Sequence, residues 1–230
     1  MSKVSKRRTY DASGRQRRAL ETQERVLDVA RRLFAERGYA ETTLDAIASE
    51  AGVATPTVYA AFQSKRGVLS ALLHRLVSGA PGGTPLLQMP GPRAIAAEPD
   101  PRRMLAMFVQ DVTGVQARVM PMYEVMKHAA RTDDEIAELF GKMQQYRYGN
   151  LETIPKQLAV LGALREGLTI EDAARTLWVV TSPEARQLLC GQAGWSLEHY
   201  QAWLEDVLVQ TLLAPAPSSS TAGRNRRTRS

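Results

Sequence analysis

The stretch Glu41-Thr-Thr-Leu-Asp-Ala-Ile-Ala-Ser-Glu-Ala-Gly-Val-Ala-Thr-Pro-Thr-Val-Tyr-Ala-Ala-Phe-Gln-Ser-Lys65 decides how the rest of the chain is read. It spells two short helices around a tight turn. Thr43 suits an N-cap, and Leu44, Ile47, Ala48 and Ala51 then fall on one helical face. Gly52 follows where the chain must reverse and positive φ is cheapest for glycine. Thr55 is expected to cap the second helix with Pro56 at its first position, where a missing N–H costs nothing. Val58 and Phe62, four apart, face inward and leave Thr57 and Tyr59 outside. The pattern is a helix-turn-helix.

The outer side of the second helix is slim. Ala54, Ala60 and Ala61 add little bulk, so the backbone fits a major groove, which is wide enough to admit a helix. Thr55, Thr57 and Tyr59 offer hydroxyls to phosphates and base edges, with Pro56 among them. Thr42, Thr43 and Lys65 stand at helix starts and are expected to grip backbone phosphate. The same spacing also suits an ordinary helical hairpin whose threonines are only caps.

Thr42-Thr43, Ile47-Ala48, Ala51-Gly52-Val53, Thr57-Val58-Tyr59, Phe62 and Ser64-Lys65 resemble the DNA-binding signature of the tetracycline-repressor (TetR) family of bacterial transcription regulators. Upstream, Leu33-Phe34-Ala35-Glu36-Arg37-Gly38-Tyr39 is similar to that family's first helix and its closing Gly-aromatic pair. The resemblance covers roughly Ala19 to Leu76. Family members often carry a second aromatic or a His just after the Tyr, where this chain has Ala60 and Ala61.

Charge is spread unevenly over the 230 residues. Residues 1–80 hold 14 Lys/Arg against 8 Asp/Glu, residues 81–214 hold 12 against 16, and the last segment holds 4 against 0. A basic module joined to a mildly acidic body suits a protein that meets a polyanion at one end. Cys190 stands alone, so no intrachain disulfide forms. No apolar run approaches the roughly 20 residues that cross a bilayer, and the basic N-terminus lacks the apolar stretch of a signal peptide. A cytoplasmic protein with no membrane partner is expected.

Five segments are expected: a basic disordered arm over 1–18, the helix-turn-helix domain over 19–78, a Pro/Gly-rich connection over 79–99, a helical body over 100–214 and a disordered basic tail over 215–230. The fold class is all-α. In the domain over 19–78, Val26, Val29, Ala30, Leu33 and Phe34 mark the first helix, and Ser64 caps a fourth along Val68, Leu69, Leu72, Leu73 and Leu76. In the body, Asp100-Pro101, Pro121, Thr132-Asp-Asp-Glu135, Thr169, Ser182-Pro183 and Ser196 are read as helix starts, and Pro155 as an interruption.

The last helix has a regular stripe, Tyr200, Trp203, Leu204, Val207, Leu208 and Leu212, which fits a core or an interface equally well. Leu164-Arg165, Gly167-Leu168, Trp178, Ser182-Pro183-Glu184, Gly194-Trp195-Ser196 and Tyr200-Gln-Ala-Trp203-Leu204 resemble the C-terminal domain of actinobacterial-type members. The resemblance implies a dimer through the last helices, with Leu188, Trp195, Tyr200, Trp203, Leu204 and Leu208 at the interface. It also implies an effector pocket among the central helices, where methionines concentrate. Met104, Met107, Phe108, Met122, Tyr123, Met126, His128, Met143, Gln144 and Trp178 are its expected lining, although methionine also fills ordinary cores.

His74, His128 and His199 lack metal-ligand spacing, and Cys190 lacks an evident His partner, so no catalytic residue, metal or cofactor is expected. The leading expectation is a homodimeric repressor of a palindromic operator on double-stranded DNA, released by a small-molecule effector. An effector-independent architectural DNA binder is the alternative, and an enzyme carrying a DNA-binding appendage is the third class.

Overall fold

The computed structural model describes residues 12–80 and 84–215. Within them the chain is helical, with no strand and one isolated bridge, Leu164 to Leu213. Eleven α-helices are described: α1 Ala12–Glu41, α2 Leu44–Glu50, α3 Thr55–Phe62, α4 Lys65–Ser78, α5 Pro90–Ala97, α6 Pro101–Ala129, α7 Asp134–Leu151, α8 Thr153–Val160, α9 Ile170–Val180, α10 Pro183–Arg186 and α11 Leu197–Leu212. A 3₁₀ turn, Leu86–Gln88, precedes α5, and a π-helical segment, Gln187–Gln192, continues α10.

Several expected boundaries are corrected. Helix α1 begins at Ala12, so the latter part of the expected 1–18 arm is helical, while residues 1–11 lie outside the described residues. The 79–99 connection holds the 3₁₀ turn and α5, whose Ile95 is buried; a single anchoring residue left no period to read. Pro121 starts no helix. It lies inside α6 on an exposed position, where the unpaired carbonyl it creates is reached by water. Asp133 rather than Thr132 caps α7, its carboxylate accepting from the Ile136 N–H at 3.1 Å. Ala54, extended at φ −71°, stands at the N-cap of α3, so Thr55 opens the helix and Pro56 follows it, still within the turn that has no N–H partners to lose. The tail expected over 215–230 falls, apart from Pro215, outside the described residues.

Other starts stand as read. Thr43 accepts from the Ala46 N–H, Ser64 from Gly67, Thr169 from Asp172, Ser182 from Ala185 and Ser196 from His199. Gly52 takes φ 66° between α2 and α3.

The chain forms two compact units, whose limits fall inside α5, within the expected 79–99 connection, and also inside α6 and α7. The first takes the helices up to Arg93 together with Asp111–Arg147. One hydrophobic core runs through it. Val26, Leu33, Phe34, Ile47, Ala48, Val58, Leu69 and Leu72 from α1–α4 join Met122, Tyr123, Met126 and Ile136 from α6 and α7. Polar ties fix the same helices. Arg75 of α4 reaches Glu24 and Asp28 of α1, both at 2.8 Å. Arg118 of α6 donates to the Leu76 and Val77 carbonyls at 2.9 and 3.4 Å, closing the C-terminal end of α4, where the helix dipole is negative. Arg66 at the start of α4 lies 3.7 Å from Glu135 and 3.9 Å from Glu138 of α7.

Two expected phosphate ligands are instead structural. Thr42 is fully buried, and its hydroxyl donates to the Gly38 carbonyl at 2.8 Å, so it closes α1. The Lys65 ammonium donates to the Tyr39 and Ala40 carbonyls at 2.8 and 3.2 Å and lies 4.2 Å from the Tyr39 ring centre. Burial lowers the Lys65 pKa. Burial, with Asp133 and Glu135 adding to it, pushes the Tyr39 hydroxyl up to about 12. Sequence spacing placed both residues at helix starts and could not show that the end of α1 takes up their polar groups.

The second unit takes Ala94–Gln110 and the helices from Tyr148 onward. Its buried apolar residues include Met104, Leu105, Phe108, Leu158, Ala173, Leu177, Tyr200, Leu204, Leu208 and Leu212. Asp100 caps α6 by accepting from the Arg102 and Arg103 N–H groups. The segment after α11 pairs with the one after α8, Arg165 N–H to the Leu212 carbonyl and Ala214 N–H to the Ala163 carbonyl.

Between α3 and α4 the chain is tightest. A β-carbon on Gly67 would overlap the Phe62 carbonyl oxygen, whereas one on Gly52 would meet nothing within 4 Å. Gly67→Ala is therefore expected to cost about 3 kcal/mol through forced backbone shifts. Gly52→Ala should cost only the left-handed penalty, about 1 kcal/mol. Urea unfolding of both variants checks this, and equal losses would contradict the close approach. Lys65→Met keeps the stem and removes the two hydrogen bonds at the end of α1, for a loss of about 1–2 kcal/mol. An unchanged melting temperature would show that water caps those carbonyls equally well.

Candidate nucleic-acid interface

The exposed face of α3 is formed by residues that the fold does not use. Ala54, Pro56, Thr57, Tyr59, Ala60 and Ala61 are all exposed, and Thr55 is half-buried. Val58, at 1% exposure, is the residue that fixes the helix to the core. Tyr59, a large aromatic ring, is 52% exposed. It is the one large side chain among the exposed residues of α3 and its N-cap, the rest being Ala54, Pro56, Thr57, Ala60 and Ala61.

Helix α2 supplies the second edge. Thr43 is exposed while its hydroxyl holds the Ala46 N–H. Glu50, in the last turn of α2, is held by Arg32 and Arg37 of α1, which lower its pKa through the Arg32 hydrogen bond first. This pairing fixes α2 against α1 from outside the core.

The residues expected to line an effector pocket fall in both units. Met122, Tyr123 and Met126 are fully enclosed in the core shared with α1–α4, with Met143 packed against it. Tyr123 meets Phe140 ring to ring at 5.3 Å. These three side chains belong to the buried core, and methionine at helical spacing reports burial without distinguishing a core from a cavity. Met104 and Phe108 are buried and Met107 half-buried in the second unit, and His128 is exposed in the last turn of α6. Trp178 is 37% exposed on α9. Gln144 keeps a distinct character, since its side-chain oxygen is buried with no hydrogen-bond partner.

The expected interface residues also divide. Tyr200, Leu204 and Leu208 are fully buried within their own unit, so the inner half of the α11 stripe is core. Trp195 and Trp203 are half-buried and stack with neighbours, Trp195 on His199 at 4.0 Å and Trp203 on Tyr200 at 6.0 Å. Leu188 remains 55% exposed. Val179 and Leu197, at 58% and 39% exposure, join it as exposed apolar groups that the stripe did not flag. Their signal in the sequence was only an apolar residue on the wrong side of its helix.

Residues 26–72 match the family model described as "Bacterial regulatory proteins, tetR family". Over 204 residues the chain is 24% identical to the HTH-type transcriptional repressor BepR of Brucella suis biovar 1 (strain 1330), covering 86% of this chain and 95% of that one. Over 209 residues it is 28% identical to the probable HTH-type transcriptional regulator ArpR of Pseudomonas putida, covering 86% of this chain and 95% of that one. Among solved structures, the SmeT–triclosan complex superposes with a TM-score of 0.67 at 21% identity, over 90% of this chain and 100% of that one. SmeT is the repressor of the Stenotrophomonas maltophilia multidrug efflux pump SmeDEF. A regulator from Saccharomonospora viridis in complex with choline superposes with a TM-score of 0.62 at 22% identity, over 84% of this chain and 98% of that one. These two superpositions establish the fold. The helix-turn-helix matched by the family model, with a repressor aligned along nearly its whole length, supports a TetR-family transcriptional regulator.

Proposed function

We propose that the protein is a homodimeric repressor that leaves a palindromic operator when a small, largely apolar effector binds. The exposed face of α3 carries the reading: Thr57 and Tyr59 stand among small residues and serve no internal contact that would explain them. One such helix reaches few base pairs, and two copies about 34 Å apart supply the rest. The dimer would cover Trp178, Val179, Leu188 and Leu197, large apolar groups that the second unit leaves in water. DNA sets the compartment, the cytoplasm.

Gln144 supports the effector. Its buried oxygen without a donor costs about 1–3 kcal/mol, which a ligand carrying one donor on an apolar body would recover. Triclosan and choline in two structurally similar regulators fit a body of this fold that takes small ligands. An effector that prefers a different arrangement of α6 and α7 would disturb α1–α4 through their common core, and so would lower operator affinity by its differential binding.

The test is selection from a random duplex pool, followed by sedimentation of the complex. An enriched inverted repeat bound by two copies is expected. Uniform retention of all duplexes, governed by salt alone, would instead mark an architectural binder. Tyr59→Ala is expected to weaken the selected site about tenfold while the melting temperature stays put, as befits a half-exposed ring; a large loss of stability would make Tyr59 core. Gln144→Met is expected to leave the free protein as stable or about 1 kcal/mol more so. The same variant should shrink the thermal shift given by any compound that stabilises the wild type in a screen. An undiminished shift would remove Gln144 from the effector site.

A further inference from the structure

Helix α3 ends in a conformation that a side chain resists. Gln63 adopts φ 66° and ψ −35°, and among the described residues it is the one non-glycine with positive φ. The Ser64 N–H donates to the Phe62 carbonyl at 2.8 Å across it, making a γ-turn of the rarer, strained hand. Elsewhere in the described residues positive φ falls on glycine, at Gly38, Gly52, Gly79, Gly162, Gly167 and Gly194. Where the fold needs only the backbone shape, the sequence supplies the residue that adopts it without strain. At position 63 it does not, although the side chain is exposed and its amide has no hydrogen-bond partner among the described residues.

The position explains the exception. Gln63 follows Pro56 and Ala60 at the C-terminal end of the exposed face of α3. That face otherwise offers DNA only the hydroxyls of Thr55, Thr57 and Tyr59, and Ala60 and Ala61 place no bulk between them and the turn. A carboxamide is the side chain that pairs with both N6 and N7 of adenine in the major groove, a two-bond contact no hydroxyl can make. We propose that Gln63 is a specificity-determining residue, whose amide, projected from the strained turn after α3, reads one base pair of the operator. The inference rests on α3 being the reading helix.

The site selected by the wild-type protein from a random duplex pool comes first. If no sequence is enriched, operator reading itself fails, before any variant is made. Given an enriched site, full-length Gln63→Gly and Gln63→Ala are compared with wild type on that site and on every single-base variant of it. Gln63→Gly relieves the turn and should raise the unfolding midpoint, whereas Gln63→Ala keeps the strain and removes the amide. Both should lose about tenfold in preference at one base pair per half-site, with the other positions and low-salt binding to random duplex unchanged. Wild-type preference at every position in both variants would overturn the proposal. So would a loss spread evenly over all positions, which would mean that the turn only aims the helix. A Gln63→Gly variant less stable than wild type would remove the strain argument.

Discussion

A single hydrophobic core, assembled from α1–α4 and from the α6–α7 hairpin, is what gives the exposed face of α3 a fixed place. Helices α2 and α3 span Leu44–Glu50 and Thr55–Phe62, far below the length at which a helix holds itself together in water. Their order comes from tertiary contacts. Leu44, Ile47 and Ala48 on one and Val58 on the other are the side chains they bury, and these four join a core that extends to Met122, Tyr123, Met126 and Ile136. A head built from α1–α4 alone would be at the small end of what a core supports, so the hairpin is part of its stability.

Polar groups finish what the core begins, at the helix ends where backbone atoms lack partners. Thr42 and Lys65 close α1, Gly79 and Arg118 close α4, and Asp133 opens α7. Through Arg118 and Arg66 both ends of α4 are tied to the hairpin, one by hydrogen bonds to carbonyls and the other by exposed ion pairs. The exposed pairs are screened and weak, while the carbonyl contacts of Arg118 are sheltered and fixed in direction. A displacement of α6 is therefore felt most at the end of α4 away from DNA.

The helix-turn-helix was legible because its signals are local. Thr43 and Ser64 as caps, Gly52 as the turn and Val58 as the anchor each act within a few residues, and the structure places them as read. The roles of Thr42 and Lys65 depend on where the end of α1 lies, and spacing carries no such information. Periodicity identified Met122, Met126, Tyr200 and Leu208 as apolar and inward-facing, yet it cannot say inward toward what. Each is fully enclosed in its own unit. Pro121 shows the opposite failure: a strong local signal for a helix start was overridden by a long helix whose solvent side tolerates the lost hydrogen bond.

The shared core also determines where the chain can be cut. A recombinant head ending near the Pro/Gly run would leave behind Met122, Tyr123, Met126 and Ile136, and would carry an uncovered apolar face into solution. Chimaeras that exchange sensing bodies between regulators of this architecture need their crossovers inside α5, α6 and α7, where the chain passes from one compact unit to the other, with Asp111–Arg147 travelling alongside the amino-terminal helices.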